Sequence, residues 1–142
     1  MITDKGEYIE FYEADKTDEW KESKHQKDSY AWVKYNHPEW LAWHTKNEGV
    51  KSMATAISDA DEGLLKGVSD FVIIIGPFGP YHFAAIEMKR TNKSGRFKAS
   101  PVSKEQKEFL SRVRELGGFS AVCYGFKQFK IAIDFMLNST NC

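Results

Sequence analysis

Cysteine is nearly absent from this chain, with only Cys123 and Cys142 among 142 residues. Cys123 lies in an apolar, strand-like run and Cys142 is the last residue, so no disulfide framework is expected. Neither C-x-x-C nor a Cys/His spacing suited to zinc occurs, and His25, His37, His44 and His82 form no H-x-x-x-H or H-E-x-x-H pattern. Long apolar runs are missing too: no stretch approaches the roughly 20 residues of a membrane-spanning helix. The start, Met1-Ile2-Thr3-Asp4-Lys5, has no basic segment leading into an apolar one, so no secretory signal is expected. Net charge is also absent, with 20 Lys and Arg against 20 Asp and Glu, which argues against a chain that simply coats nucleic acid. There is no internal repeat and no low-complexity segment. The expectation is one soluble domain of a reducing compartment, the cytoplasm.

What is present is unevenly placed. Residues 1–22 carry eight acidic and three basic side chains, a net of −5, whereas residues 89–107 carry seven basic and one acidic, a net of +6. A local basic stretch is what phosphate binding needs. A solvated loop has the same composition, but the position directly after Glu87 and Lys89 favours substrate contact. Aromatic residues make up 14% of the chain, enough to fill a core well. The tryptophans Trp20, Trp32, Trp40 and Trp43 read as core rather than as a base-stacking platform, and the histidines as satisfied structural groups.

Residues 1–18 are acidic and poorly periodic and read as an extension of uncertain order, leaving a domain over 19–142. From about Glu19 to Asn36 the pattern is helical, with Glu22, Gln26, Tyr30 and Val33 on one face, and His37-Pro38 ends it. Trp40 to His44 reads as a short strand and Asn47-Glu48-Gly49 as a turn. Val50, Met53, Ala54, Ile57, Ala60 and Leu64 trace an amphipathic helix. Phe71 to Ile75 is short and β-branched, hence a buried strand, and Gly76 to Pro80 turns it into a second strand over Tyr81–Lys89. Ser103-Lys104-Glu105-Gln106 matches a capping box, opening a helix with Phe109, Leu110, Val113 and Leu116 on its apolar face. Gly117-Gly118 ends that helix, Phe119 to Tyr124 is another buried strand, and Phe129, Ala132, Ile133 and Met136 mark a last helix. This order predicts an α/β fold, a mixed sheet covered by helices.

Chemistry concentrates where the two central strands meet. Asp70 opens the first, and Glu87 and Lys89 stand two apart in the second, so their side chains share a face. Two carboxylates and an ammonium converging there suit a hard divalent cation, Mg²⁺ or Mn²⁺, and a water nucleophile. Asp70 and Glu87 would ligate, the Met88 main-chain carbonyl could add an oxygen, and Lys89 would orient or deprotonate water and balance phosphate charge. That arrangement points to metal-dependent phosphodiester hydrolysis. Taken singly the residues also read otherwise: Asp70 as a turn residue, Glu87 and Lys89 as a strand-end ion pair. Gln106 shares the inward face of its helix, so its amide serves the site, the capping box, or both. Glu22 and Gln26 share the inward face of the first helix, from which one of them can reach the metal; a partly solvated helix face is the other reading.

Together these segments resemble the PD-(D/E)XK nuclease superfamily, and within it the stand-alone VRR-NUC domain proteins of phages and bacteria. The likeness rests on Asn47-Glu48-Gly49 before a helix, Gly67-Val68-Ser69-Asp70-Phe71, Ile86-Glu87-Met88-Lys89-Arg90, Ser103-Lys104-Glu105-Gln106 and Gly117-Gly118-Phe119, in the family's order from roughly residue 22 to 137. The family usually has proline before the motif aspartate, where this chain has Ser69; proline there fixes the backbone but donates no catalytic group, so activity is expected to persist with a looser turn. The resemblance implies a restriction-endonuclease-like sheet, Asp70 and Glu87 as metal ligands, Lys89 as catalytic, Gln106 in the active site and Glu22 near the metal. It also implies Mg²⁺- or Mn²⁺-dependent cleavage of DNA, structure-specific on branched substrates such as four-way (Holliday) junctions, often by a homodimer, in a bacterial or phage-infected cytoplasm. Gln26, Asn47, Lys51, Arg90, Lys93, Arg96, Lys98 and Lys104 are candidates for DNA contact. A nicking or restriction-type enzyme acting on ordinary duplex, and a non-catalytic DNA-binding module on the same fold, are the alternatives.

Overall fold

The computed structural model describes residues 1–45 and 52–139; Asn47, Lys51, the expected turn at 47–49 and Cys142 lie outside them. The chain runs β1 (Ile2–Asp4), β2 (Ile9–Phe11), α1 (Glu22–Asn36), β3 (Leu41–His44), α2 (Met53–Asp61), β4 (Phe71–Ile74), β5 (Phe83–Lys89), α3 (Lys104–Glu115), β6 (Phe119–Tyr124) and α4 (Phe126–Leu137). The α/β reading holds, with a six-stranded sheet in the order β1-β2-β6-β5-β4-β3. Strands β2, β6 and β5 are parallel, while β1 on one side and β4 and β3 on the other run antiparallel to their neighbours.

Strands β5 and β6 form the parallel centre and are buried almost throughout, as expected of strands covered on both faces. On one face α1 and α4 bury Val33, Phe129, Ala132, Ile133 and Met136 against Phe71, Ile73, Ile86, Met88 and Phe119. On the other, α3 presses Leu110, Phe109 and Val113 against Ala85 and Val122. Because side chains alternate, Ile86 and Met88 enter the first core while Ala85, Glu87 and Lys89 face the α3 side. The β4–β5 hairpin pairs Phe71 with Ile86, which places Asp70 beside Glu87.

Two expectations need correction. Residues 1–18, read as an extension of uncertain order, supply β1 and β2, and β2 pairs with β6 through Ile9 and Ala121 and through Phe11 and Cys123. Phe11 is fully buried, so this segment contributes to the core. The expected amphipathic helix is present as α2, with no buried residue and with Met53 and Ile57, and Leu64 just beyond it, exposed. Among the tryptophans, Trp32 and Trp40 pack on the core, but Trp20 and Trp43 are exposed. No helix among the described residues is long and apolar enough to cross a membrane.

Candidate active site

The site grows out of the place where β4 begins and β5 ends. Asp70 precedes the first paired residue of β4, so Met88 N–H, which has lost a strand partner there, donates instead to Asp70 Oδ2 at 3.1 Å. Asp70 N–H in turn donates to Glu87 Oε2 at 3.2 Å. Gln106, one turn into α3, donates from Nε2 to Glu87 Oε1 at 2.7 Å. Its Oε1 accepts from Ser103 N–H at 2.8 Å, completing the capping box that the sequence suggests, so one amide both closes the helix start and holds Glu87. Lys89 Nζ donates to Ser100 Oγ at 3.2 Å, the Pro101 carbonyl at 3.4 Å and Gln106 Oε1 at 3.5 Å, and stands 3.9 Å from Glu87 Oε1.

Glu87 and Lys89 are only 3% and 2% exposed. Burial first, and the neighbouring Asp70 carboxylate second, push the Glu87 carboxyl up to about 9; Lys89 opposes this. Glu22, at the start of α1, is raised in the same way by burial and by Asp70, with Lys89, Arg90 and His44 opposing. The Asp70 carboxylate thus raises both Glu87 beside it and Glu22 on α1. Among the described residues no three carboxylate, imidazole or thiol groups already form a finished cage. Main-chain N–H groups hold one oxygen each of Asp70 and Glu87, and Gln106 holds the second Glu87 oxygen.

Gly67 fixes the approach of two of these elements. Its φ is +76°, and a Cβ there would fall 2.3 Å from the carbonyl carbon of Glu105. The loop into Asp70 therefore lies directly on the first turn of α3, where Gln106 begins.

The remaining predicted residues scatter. Gln26 is buried, and neither its amide nitrogen nor its oxygen has a partner among the described residues. Arg90 donates to the Glu19 carbonyl at 2.9 Å and lies over Phe97. Lys93 pairs with Glu10 at 2.7 Å and sits over the Tyr12 and Tyr124 rings. Arg96, Lys98 and Lys104 are exposed, Lys104 loosely facing Glu108 at 3.9 Å. Sequence reasoning missed Ser100 and Pro101, which hold Lys89, and, though it counted Gly67 in the motif, missed its close approach to α3. It also did not place His44 beside Asp70, whose carbonyl lies 2.8 Å from His44 Nδ1. Only the composition of the basic loop hinted at the first two; a β3–β4 pairing would have been needed to find the last.

A family model described as the VRR-NUC domain matches residues 13–127, a span that takes in Glu22, Asp70, Glu87, Lys89 and Gln106. Among solved structures the chain is similar to a "VRR_NUC domain protein", with a TM-score of 0.59 and 22% identity over 83% of this chain and 88% of that one, a likeness of fold. No curated protein matches. With the family model matched over most of the chain and the fold shared, the chain belongs to the VRR-NUC family and carries a nuclease-type, DNA-processing domain.

Proposed function

We propose that this chain is a divalent-metal-dependent endodeoxyribonuclease that hydrolyses phosphodiester bonds in branched DNA such as four-way junctions. The observation that carries the reading is the juxtaposition of Asp70 and Glu87 across the β4–β5 pair, with Lys89 on the same face and Gln106 bridging from α3. Asp70 and Glu87, with the Met88 carbonyl and Glu22, would hold Mg²⁺ or Mn²⁺. When bound, such an ion neutralises charge on phosphate oxygens and eases deprotonation of water.

The chain's own groups supply the rest. Lys89, held by Ser100, Pro101 and Gln106, presents an ammonium that orients the attacking water and balances phosphate charge. Gln106 fixes the rotamer of Glu87 through its 2.7 Å hydrogen bond. Water attacks phosphorus in line, the bond to the leaving oxygen breaks, and that oxygen is protonated from solvent. Gln26, Asn47, Lys51, Arg90, Lys93, Arg96, Lys98 and Lys104 make up the proposed DNA-contacting set.

A homodimer, which the resemblance implies, belongs to the same proposal. Two symmetric sites would suit the two symmetric strands of a junction. The place of action proposed is the cytoplasm of a bacterium or of a phage-infected host.

The test is cleavage of a labelled four-way junction, a flap, linear duplex and single strand with Mg²⁺, Mn²⁺ or EDTA, beside Lys89→Ala. Metal-dependent cutting of the junction that the variant lacks is expected. Equal cutting of every duplex would instead favour a nicking or restriction-type enzyme, and binding without cutting a non-catalytic module.

A further inference from the structure

A groove of about 490 Å³ lies beside the candidate site. Its wall includes Ser100 and Pro101, the two residues that hold Lys89 Nζ. Its charged lining is basic throughout: Lys93 and Lys98 from the loop after β5 and Lys107 from α3. Lys93 is neutralised by Glu10, but among the described residues Lys98 and Lys107 form no ion pair. Both are exposed, so the groove presents two uncompensated cations to solvent.

Tyr8 and Tyr124, with the apolar Ala99 and Val102, complete the lining. Burial raises both phenols above their ordinary value, so each keeps its proton at neutral pH and offers a donor. Their rings are almost wholly covered, which leaves no face on which a base could stack. Ammonium groups and phenol donors, with no lining carboxylate and no exposed aromatic face, match phosphate oxygens rather than bases.

We propose that this groove is a second phosphate-binding subsite, which seats the backbone of the DNA strand flanking the bond cleaved beside Lys89. The inference rests on the nuclease reading above and adds the path of the strand: past Lys89, over Ser100 and Pro101, and on to Lys98 and Lys107. Contacts of this type position a nucleic acid without reading its sequence. The groove therefore serves any sequence that presents the right backbone shape.

The experiment is anisotropy binding of a fluorescent four-way junction and its linear duplex counterpart in EDTA, over a series of KCl concentrations. It compares wild type with Lys98→Ala/Lys107→Ala. Each lost phosphate contact lowers the slope of log affinity against log salt by about one, so the double variant should lose about two. Its affinity at low salt should fall roughly tenfold or more. Lys98→Arg/Lys107→Arg should restore both, and Lys34→Ala/Lys130→Ala, on the helices of the opposite sheet face, should change neither. Unchanged affinity and slope in the double alanine variant would overturn the groove while leaving the nuclease reading intact. An equal loss in the opposite-face control would also overturn it, because the effect would then be one of total charge. A wild-type protein that neither binds nor cuts DNA would overturn both readings.

Discussion

Near the C-terminal end of β5 stand two buried polar clusters, and they differ in how their groups are matched. In the first, His25 Nδ1 accepts from Phe126 N–H at 3.0 Å, closing the start of α4, while its Nε2 lies 3.4 Å from both Asp18 Oδ2 and Thr91 Oγ1. Thr91 donates to Asp18, and Asn92 ties the same segment down through the carbonyls of Asp15 and Asp18. Donors and acceptors alternate, and no like charges face each other. In the second, Asp70 and Glu87 crowd together with Glu22 nearby, and the carboxyls of Glu22 and Glu87 are pushed upward. A complementary buried network holds a fold together; a crowded one is tolerated for what it can bind.

The comparison breaks most sharply at the second cluster's charges. Asp70→Asn and Lys89→Ala are each expected to lower single-turnover cleavage on the order of 10²–10³-fold. Asp70→Asn keeps the acceptor for Met88 N–H and removes the repulsion, so its metal-free thermal midpoint should equal or exceed that of wild type. A variant that lost stability along with activity would place Asp70 with the structural cluster. The converse change is His25→Ala, which leaves Phe126 N–H without its acceptor and opens a cavity beside Asp18 and Thr91. A loss of about 2–4 kcal/mol by denaturant titration is expected, with the rate per folded molecule close to wild type.

A subtler separation comes from pH. Glu87 titrates well above its unfolded value, so the native state holds that proton more tightly. Its contribution is complete below about pH 4.5, the unfolded carboxyl range, and is lost as pH rises toward 9. Metal-free protein should therefore melt at progressively lower temperature across that window. Glu87→Gln should flatten the trend, and an unchanged trend in that variant would assign it elsewhere. The smallest effect is expected from Ser103→Ala, which removes the acceptor of Gln106 N–H; about 1 kcal/mol of stability should go, with a rate loss far below that of Lys89→Ala.

Much of this was legible in the chain, and where it was not there is a physical reason. The β4–β5 hairpin, the α3 capping box and the shared face of Glu87 and Lys89 follow from local pattern, and the structure has them. Strands β1 and β2 were missed because three residues each carry too little alternation to stand out, and because what stabilises them is β6, more than a hundred residues away. The periodicity of α2 showed an apolar face correctly, but periodicity cannot say what covers it. Composition could count Lys93 as a free cation because its partner, Glu10, lies 83 residues off. The fold that places Ser100 and Pro101 over Lys89 is likewise a loop path, for which no local rule exists.

The amide of Gln106 has a further consequence. Its oxygen is committed to the first turn of α3 and to Lys89, and its nitrogen to Glu87. Turning it over would set an NH₂ group against the Ser103 N–H and the Lys89 ammonium, so the group is locked one way round. Fraying of that first turn and loss of site geometry are therefore one event. Local opening of a helix end is normally cheap and goes unnoticed; here it disarms the centre. Hydrogen exchange at the main-chain amides of Gln106 and Lys107 should slow when the site is filled, turning a helix terminus into a gauge of how often the enzyme is ready to act.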